Sequence, residues 1–466
     1  MHDQPTLPSR SIEDPNVADG EVFGLILLWS HDELDRVGEA LLVTDPQRWE
    51  LGRGRPPGDT PRLEAVRQRP GENLPTGPLL SERLSRRQLA VTATPDGLAV
   101  ENIGQCPLRH NGAPVARALA GPGDTLELLN ELLMLVVRRP RLLRARQDLR
   151  QHPFGRPDAA GIVGESPAAW RLREQLGFVA RRDAHVLIHG PSGSGKELIA
   201  AGIHAGSRRR GAALIARNAA TLPPGIVDAE LFGNVGGYPN PGMAERPGLI
   251  GAADGGVLFL DEFAELPEAL QAHLLRVLDA GEYHRLGEGR ARHADLRLVA
   301  ATNRPLSAIK EDVLARMPLR IQAPPLGDRL EDTPLLALHL LRGVAGDDPE
   351  LAGRFFEGQH PRLSPALVRA LIGQEWRTHV RQLQRLLWAS LQASPGAYLT
   401  PPPEEVPGDT HTPAVDPTTL SPEVIQEALD RHGGRQSAVW KELGLSSRHV
   451  LKRLLKKHGL SASRDD

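Results

Sequence analysis

The sequence predicts a multidomain chain in which an all-β sandwich, a largely parallel α/β domain and a small three-helix unit follow one another. Three observations carry this expectation. Residues 22–137 run as short apolar stretches broken by turn signals, among them "VFGLILLW", "EALLVT" and "RQLAVTATPDGLAVENIG", the pattern of a β-sandwich. Residues 161–390 alternate strand-like runs ("HVLIHG", "GVLFLDE", "LRLVAATN") with helical ones ("ELIAAGIHAGSRR", "PEALQAHLLRVLDAG"), as a parallel sheet with covering helices requires. Residues 391–420, with "TPPPEEVPGDTHTPAVDPTT", are rich in proline and poor in large apolar side chains, so they read as an extended linker before a helical end.

The bulk numbers agree with this division. A chain of 466 residues allows about three domains. Apolar residues make up 40% and charged residues 24%, ordinary for soluble globular proteins. The net charge of −2 gives no global basic field, so any nucleic-acid contact must come from a local patch. The one cysteine, Cys106, excludes an internal disulfide and a thiolate metal cluster, and a reducing cytoplasm is the expected location. The longest apolar runs, "FGLILLW" and "LLMLVV", are too short to span a bilayer, and the start "MHDQPTLPSRSIEDPN" lacks the apolar core of a secretory signal.

Taken in order, residues 1–20 are expected to be disordered and 21–137 to form the sandwich, with "TPDG" as a hairpin turn. The basic stretch "RRPRLLRARQDLRQH" is expected to open a linker helix over 138–160. An α/β subdomain is expected over 161–330, a helical lid over 331–395, a proline-rich linker over 396–420 and three helices over 421–462. In the last, Pro422 suits a first helical turn, Gly433–Gly434 end the first helix, and "LGLSS" makes the tight turn between the other two.

The chemistry is concentrated in the α/β region. "HVLIHGPSGSGKELIA" is a strand, a glycine-rich turn and a helix. The turn Gly190, Pro191, Ser192, Gly193, Ser194 and Gly195 can curl round a polyphosphate, its glycines letting backbone N–H groups point inward, with Lys196 reaching the terminal phosphates and the helix adding its positive dipole end. Glu197 stands where a Mg²⁺-binding Ser or Thr is usual. "GGVLFLDEFAELP" ends a buried strand in Asp261, suited to Mg²⁺, and Glu262, suited to polarising an attacking water. "LRLVAATNR" is a third buried strand that ends in Thr302 and Asn303, placed to read the γ-phosphate. The three together point to ATP with Mg²⁺ and to hydrolysis.

The runs "RNAATLPPGIVDAELFG", "GGVLFLDEFAELPEALQAHLLRVLDAGEYHRLG", "RLVAATNR" and "PPLGDRLEDTPLL" resemble the AAA+ ATPase core of sigma-54-dependent transcriptional activators, the bacterial enhancer-binding proteins. The resemblance covers roughly 160–390, about half the chain. It implies a P-loop ATPase with a helical lid, working as a homo-oligomeric, hexameric ring in transcription control of a two-component-like kind. Glu after the P-loop lysine is usual in that family, so Glu197 fits. Asn218 matches an asparagine that restrains the catalytic glutamate, Glu262, until ATP engages. Arg381, in "QEWRTHVRQLQRLL", falls on the second sensor arginine. Of two arginines that act on a neighbour's nucleotide, Arg316 matches one and Lys310 stands in place of the other. Lysine lacks the planar fork that grips phosphate oxygens in pairs.

The family's sigma-54 contact loop carries the hexapeptide G-A-F-T-G-A. In this chain the slot is Gly237, Tyr238, Pro239, Asn240, Pro241 and Gly242. The length is kept, but proline replaces the phenylalanine and asparagine the threonine, and phenylalanine is a typical interface anchor. Two explanations stand: a divergent tip for a divergent sigma-54 RNA polymerase partner, or a DNA-binding ATPase regulator or phosphopeptide-dependent scaffold that no longer remodels sigma-54.

Both ends resemble known modules as well. The C-terminal unit resembles the Fis-type helix-turn-helix, with the last helix entering the major groove of DNA. Val450, Leu451, Leu454 and Leu455 face inward there, and Ser447, Arg448, His449, Lys452 and Arg453 outward. Trp440 occupies a helix-crossing position where the family has a small residue. In the β-region, "WELGRG", "LSRRQLAV" and "VENIGQCPLRHNGAPV" resemble a forkhead-associated (FHA) domain, a reader of phosphothreonine proteins. Arg53 and Ser85 match phosphate-gripping positions with Arg86 beside them, as charge-assisted bonds to phosphate require. Gln88 stands for the family's structural histidine, and Pro107–Leu108 for its first Asn-Gly.

Overall fold

The computed structural model describes the chain apart from residues 1–19, 55–60, 145–151, 224, 239, 404–419, 435, 444, 446–447 and 461–466, and apart from the side chains of 437, 438, 441, 448 and 449. The expected disorder of 1–20 and most of the expected linker, 404–419, therefore lie outside the described residues.

The β-region is built of an eight-stranded and a four-stranded sheet. The larger is organised on the long strand Glu21–Ser30, which runs antiparallel to Leu132–Pro140 from the Glu21–Pro140 pair to the Ser30–Leu132 pair. The smaller has the order Arg117–Ala120, Gly97–Asn102, Leu89–Thr94 and Arg48–Leu51. Leu25, Leu27 and Met134 of one sheet share a buried cluster with Leu89, Val91, Leu98 and Val100 of the other, which makes the pair a sandwich. Thr94 pairs with Gly97 across Pro95–Asp96, a two-residue hairpin.

The linker-helix expectation for 138–160 is corrected at 138–144 and 152–160; residues 145–151 lie outside the described residues. Arg138, Arg139 and Pro140 complete the strand against Phe23, Val22 and Glu21, and residues 152–165 contain no helix. The sheet absorbs the basic residues: buried Arg139 donates through Nε to Gln68 Oε1 at 2.7 Å. A strand partner thus overrides a helix-like basic pattern.

The α/β region holds a five-stranded parallel sheet, ordered Leu214–Asn218, Val257–Asp261, Arg297–Thr302, Val186–His189 and Leu319–Gln322. Alternate side chains feed two cores, as the two-residue strand period demands. Val186, Ile188, Val257, Phe259, Val299 and Ala301 pack with Leu172, Leu176, Ile199 and Ile203 of the Pro167–Ala180 and Lys196–Ala205 helices. Leu187, Leu258, Leu260, Leu298 and Ala300 pack with Leu274 and Val277 of the Glu268–Ala280 helix. Arg297 is fully buried and donates to the carbonyls of Val179, Ala180 and Ala184 at 2.8, 3.2 and 3.0 Å. A cation there satisfies the orphan carbonyls at a helix C-terminus.

The lid consists of the helices Thr333–Asp347, Pro349–Phe355, Pro365–Ile372 and His379–Ala393. Leu399 is buried and bonded on both sides, donating to Arg362 O at 2.8 Å and accepting from Ser364 N at 2.9 Å. Residues up to 400 thus stay on the lid rather than joining the expected linker. The C-terminal unit has helices Pro422–Arg431, Gln436–Glu442 and Arg448–His458, around Ile425, Leu429, Val439, Leu443, Val450 and Leu454. Gly433 and Gly434 take φ of 59° and 83°, and Gly434 N–H closes the first helix on Leu429 O at 2.8 Å. Trp440 packs, partly buried, against this core. Among the described residues no helix is long and apolar enough to cross a membrane.

Candidate functional site

The Val186–His189 strand delivers the chain into the turn Gly190–Gly195, and the helix Lys196–Ala205 starts at once. Gly190 N–H donates to Thr302 O at 3.1 Å, which ties the turn to the end of the neighbouring strand. Gly193 and Gly195 take φ of 76° and 92°, a region costly for residues with a Cβ. A Cβ on Gly190 would lie 2.8 Å from Ala323 O, and one on Gly193 only 2.3 Å from Thr378 O. The loop is therefore clamped from both sides by backbone.

The turn opens into a cleft of about 270 Å³ lined by Ser192–Glu197, Asp261, Glu262 and Arg381. Lys196 is buried, its Nζ donating to Gly190 O at 3.2 Å and Pro191 O at 3.3 Å. Ser194 Oγ and Glu262 Oε2 are buried without a hydrogen-bond partner among the described residues. Buried polar atoms left unpaired are costly, and a phosphate with its water would satisfy both. Glu262 also holds φ of 51°, a conformation that costs a non-glycine residue roughly 1–3 kcal/mol and clusters at functional sites. Its N–H donates to Asp261 Oδ1 at 3.0 Å.

Arg381 bridges the lid to the loop. Its Nη1 donates to Ser192 Oγ at 3.0 Å, and the preceding Val380 N–H donates to Gly193 O at 3.1 Å. Pattern reasoning missed the other wall of the cleft: Ile162, Val163, Leu336 and Leu340 supply apolar surface, with Arg329 and His339 beside them. Arg329 is buried, and its Nε has no partner; burial pushes its pKa down. Burial also lowers the pKa of His339. In the sequence these residues look like ordinary core.

Other expected site residues lie outside this cleft. Asn303 is exposed just past the Arg297–Thr302 strand. Asn218 accepts Ala220 N–H at 2.9 Å, and no hydrogen bond among the described residues joins it to Glu262. The asparagine oxygen caps its own turn, and the strand register pairs its backbone with Asp261. Arg316 caps the short Glu311–Ala315 helix and forms a two-point ion pair with Asp279. Lys310 Nζ lies 4.0 Å from Glu268.

The contact-loop slot is folded back on itself. Gly237 N–H donates to Met243 O at 2.8 Å. Buried Asn234 donates through Nδ2 to the carbonyls of Val235, Tyr238 and Ala244. Tyr238, 45% exposed, lies over Gly287, where an added Cβ would come within 2.6 Å of its ring. Asn240, Pro241 and Gly242 follow at the tip, and Pro239 lies outside the described residues.

In the β-region Arg53 N–H donates to Ser85 O at 3.1 Å. Gly52 permits this contact, since a Cβ there would meet the carbonyls of Ser85 and Arg86 at 2.5 Å. Arg53 Nε is buried and unpartnered, and Ser85 Oγ accepts Gln105 N–H at 2.9 Å. Arg86 is exposed. Arg62, which the sequence did not single out, donates to Arg86 O at 2.6 Å. Fully buried Gln88 accepts from Ser85 N and Cys106 N and donates to Asn102 Oδ1 and Cys106 O. On the last helix Lys452 is exposed and Arg453 partly so; Ser447 and the side chains of Arg448 and His449 lie outside the described residues.

Residues 162–323 match the family described as Sigma-54 interaction domain. The chain is 33% identical over 312 residues to the transcriptional regulatory protein ZraR of Salmonella typhimurium, covering 63% of this chain and 68% of that one. It is 34% identical over 331 residues to the DNA-binding transcriptional regulator NtrC of Klebsiella pneumoniae, covering 69% and 66%. The structure of NtrX from Brucella abortus in complex with ADP is similar at 30% identity with a TM-score of 0.46, covering 65% and 70%. With the matched domain spanning the Gly190–Gly195 turn and the Val257–Asp261 strand, the chain belongs to the family of sigma-54-dependent AAA+ transcriptional regulators.

Proposed function

We propose that this chain hydrolyses ATP at the seam between copies of itself in a ring and couples that cycle to transcription. Its β-domain senses a phosphorylated protein and its C-terminal helices hold DNA. One observation carries the reading: the clamped turn Gly190–Lys196 shares a cleft with the unpaired Ser194 and Glu262 oxygens and with Arg381 from the lid. Lys196 holds the terminal phosphates, Glu262 polarises the attacking water, and Arg381 senses the nucleotide from the lid. Mg²⁺ would be held by Asp261, whose Oδ2 accepts no hydrogen bond among the described residues, and would neutralise developing charge on the phosphates. Asn303 reads the γ-phosphate from the adjoining strand end. Arg316, paired among the described residues with a half-exposed aspartate, is available to a neighbour's nucleotide, since such an exposed pair is worth no more than about 1 kcal/mol.

Arg53, Ser85 and Arg86 form the phosphopeptide grip, with Arg53 Nε unpaired and ready to donate. Lys452 and Arg453 face the DNA backbone or bases with Ser447, Arg448 and His449. The test is hydrolysis by the full chain, followed by trapping with ADP and aluminium fluoride in the presence of purified sigma-54. A trapped complex is expected.

A second reading is favoured by the contact loop. The tip carries no phenylalanine, and Tyr238 is laid against Gly287, as suits an ATP-controlled DNA-binding regulator without sigma-54 remodelling. Normal hydrolysis without a trapped complex selects that reading.

A further inference from the structure

Four non-glycine residues among those described have positive φ, and two of them, Glu262 and His379, belong to the nucleotide region. Glu262 is already part of the proposed chemistry. His379 is not, and it sits where three segments meet.

It is the first residue of the His379–Ala393 lid helix, with φ of 46° and 6% exposure. Immediately before it, Thr378 O presses on Gly193; immediately after it, Val380 N–H donates to Gly193 O and Arg381 reaches Ser192. The imidazole turns the other way. Its Nδ1 accepts the N–H of buried Leu326 at 3.2 Å. Leu326 opens the segment Leu326–Asp332, which carries Arg329 into the cleft. One side chain thus pins the lid helix to the segment that carries Arg329 into the cleft, while its neighbours pin the same helix to the Gly190–Gly195 turn.

We propose that His379 is a positioning residue whose neutral imidazole locks the lid onto the phosphate turn, so that nucleotide affinity falls when the ring is protonated. The inference rests on the ATP-site reading above. An imidazole nitrogen accepts a hydrogen bond only while it carries a lone pair. Protonation would set an N–H of the ring against the N–H of Leu326 and leave that buried donor unsatisfied. The charged groups that face the ring are Arg329 and Asp328 from the Leu326–Asp332 segment and Lys196 from the phosphate turn. Burial first, then the two cations, hold the pKa of His379 below its ordinary value, against the pull of Asp328. The neutral form is therefore the working form at neutral pH, and acid removes it.

The experiment uses the full chain as wild type, His379→Asn and His379→Ala. Asparagine tolerates positive φ and offers an acceptor that does not titrate; alanine offers none. Two quantities are read at pH 7.5 and 5.5: affinity for a fluorescent methylanthraniloyl-ATP, and hydrogen exchange of the peptide carrying Leu326, corrected for the intrinsic pH dependence. For wild type, affinity is expected to fall about tenfold at the lower pH, the consequence of one buried unsatisfied donor, with loss of protection at Leu326. His379→Asn is expected to be flat in both, and His379→Ala weak in both at either pH. Identical Leu326 profiles for wild type and His379→Asn, with ATP binding intact, overturn the lock. Wild type that binds no labelled ATP at pH 7.5 overturns the ATP-site reading, and the nucleotide half of this proposal with it.

Discussion

Replacing Gly193 by alanine should loosen the lid while leaving the sheet alone. Two costs arise at that one position. Its φ of 76° is disfavoured by about 1–2 kcal/mol once a Cβ is present. The added carbon would also sit 2.3 Å from Thr378 O, and its partner is a backbone carbonyl, which cannot swing aside as a side chain would. The lid helix start must move, and the Val380 N–H to Gly193 O bond of 3.1 Å goes with it, a further loss of about 0.5–1.5 kcal/mol. Together these come to about 1.5–3.5 kcal/mol against the docked lid, or roughly 10- to 400-fold in nucleotide affinity. Gly195 is the internal control. Its φ of 92° is equally left-handed, but the nearest atom to a new Cβ is Leu198 Cδ1 at 4.0 Å, so Gly195→Ala carries the backbone cost alone. Titration with fluorescent ATP should therefore rank wild type, Gly195→Ala and Gly193→Ala in descending affinity. Equal loss in the two variants would refute the claim that the lid clamps the turn through Thr378.

Three further outcomes follow from the same geometry. Gln88→Ala leaves the N–H groups of Ser85 and Cys106 without their acceptor and should cost the β-domain about 3 kcal/mol or more, read as an earlier β-domain transition in calorimetry; an unchanged transition would contradict the bridging role. Arg53→Ala should abolish binding of a phosphothreonine peptide in isothermal titration, and a wild type that binds none would dismiss the sensor reading. His185 is held neutral, because burial lowers its pKa while Nδ1 accepts Leu298 N–H at 3.0 Å and Nε2 donates to Leu278 O at 3.2 Å. With the folded pKa depressed, its share of stability is present above the ordinary value near 6.5 and is lost as pH falls through the folded pKa. Thermal melting between pH 8 and 5.5 should thus fall less in His185→Gln than in wild type; equal falls would exclude the buried histidine as a cause.

The parts of the fold that announce themselves locally were legible in the sequence. A phosphate turn needs glycines between a strand and a helix, and "HGPSGSGK" displays that need on its face. Asp261 and Glu262 end a strand too apolar to be anything but buried. The hairpin at Thr94–Gly97 follows from its turn residues. What failed was decided at long range. "RRPRLLRARQ" spaces its arginines like a helix, yet Glu21–Ser30 lies 110 or so residues earlier and claims residues up to Pro140 as a partner. Ile162, Val163, Leu336 and Leu340 carry no mark in sequence to separate a cleft wall from core, because both ask only for apolar bulk. Gln88 was read as a departure, whereas its amide has both a donor and an acceptor and bridges three segments of the β-domain.

The central claim is that one copy cradles the nucleotide and its neighbour completes the site. Two full-length variants test it together: Lys196→Ala, which keeps Arg316 but cannot hold ATP, and Arg316→Ala, which holds ATP but lacks the completing cation. Each alone should hydrolyse ATP about 10³-fold or more below wild type. Mixed and allowed to assemble, they should regain a measurable fraction of wild-type turnover, because the first supplies its arginine to the nucleotide held by the second. A mixture no more active than its components would contradict a site shared between copies.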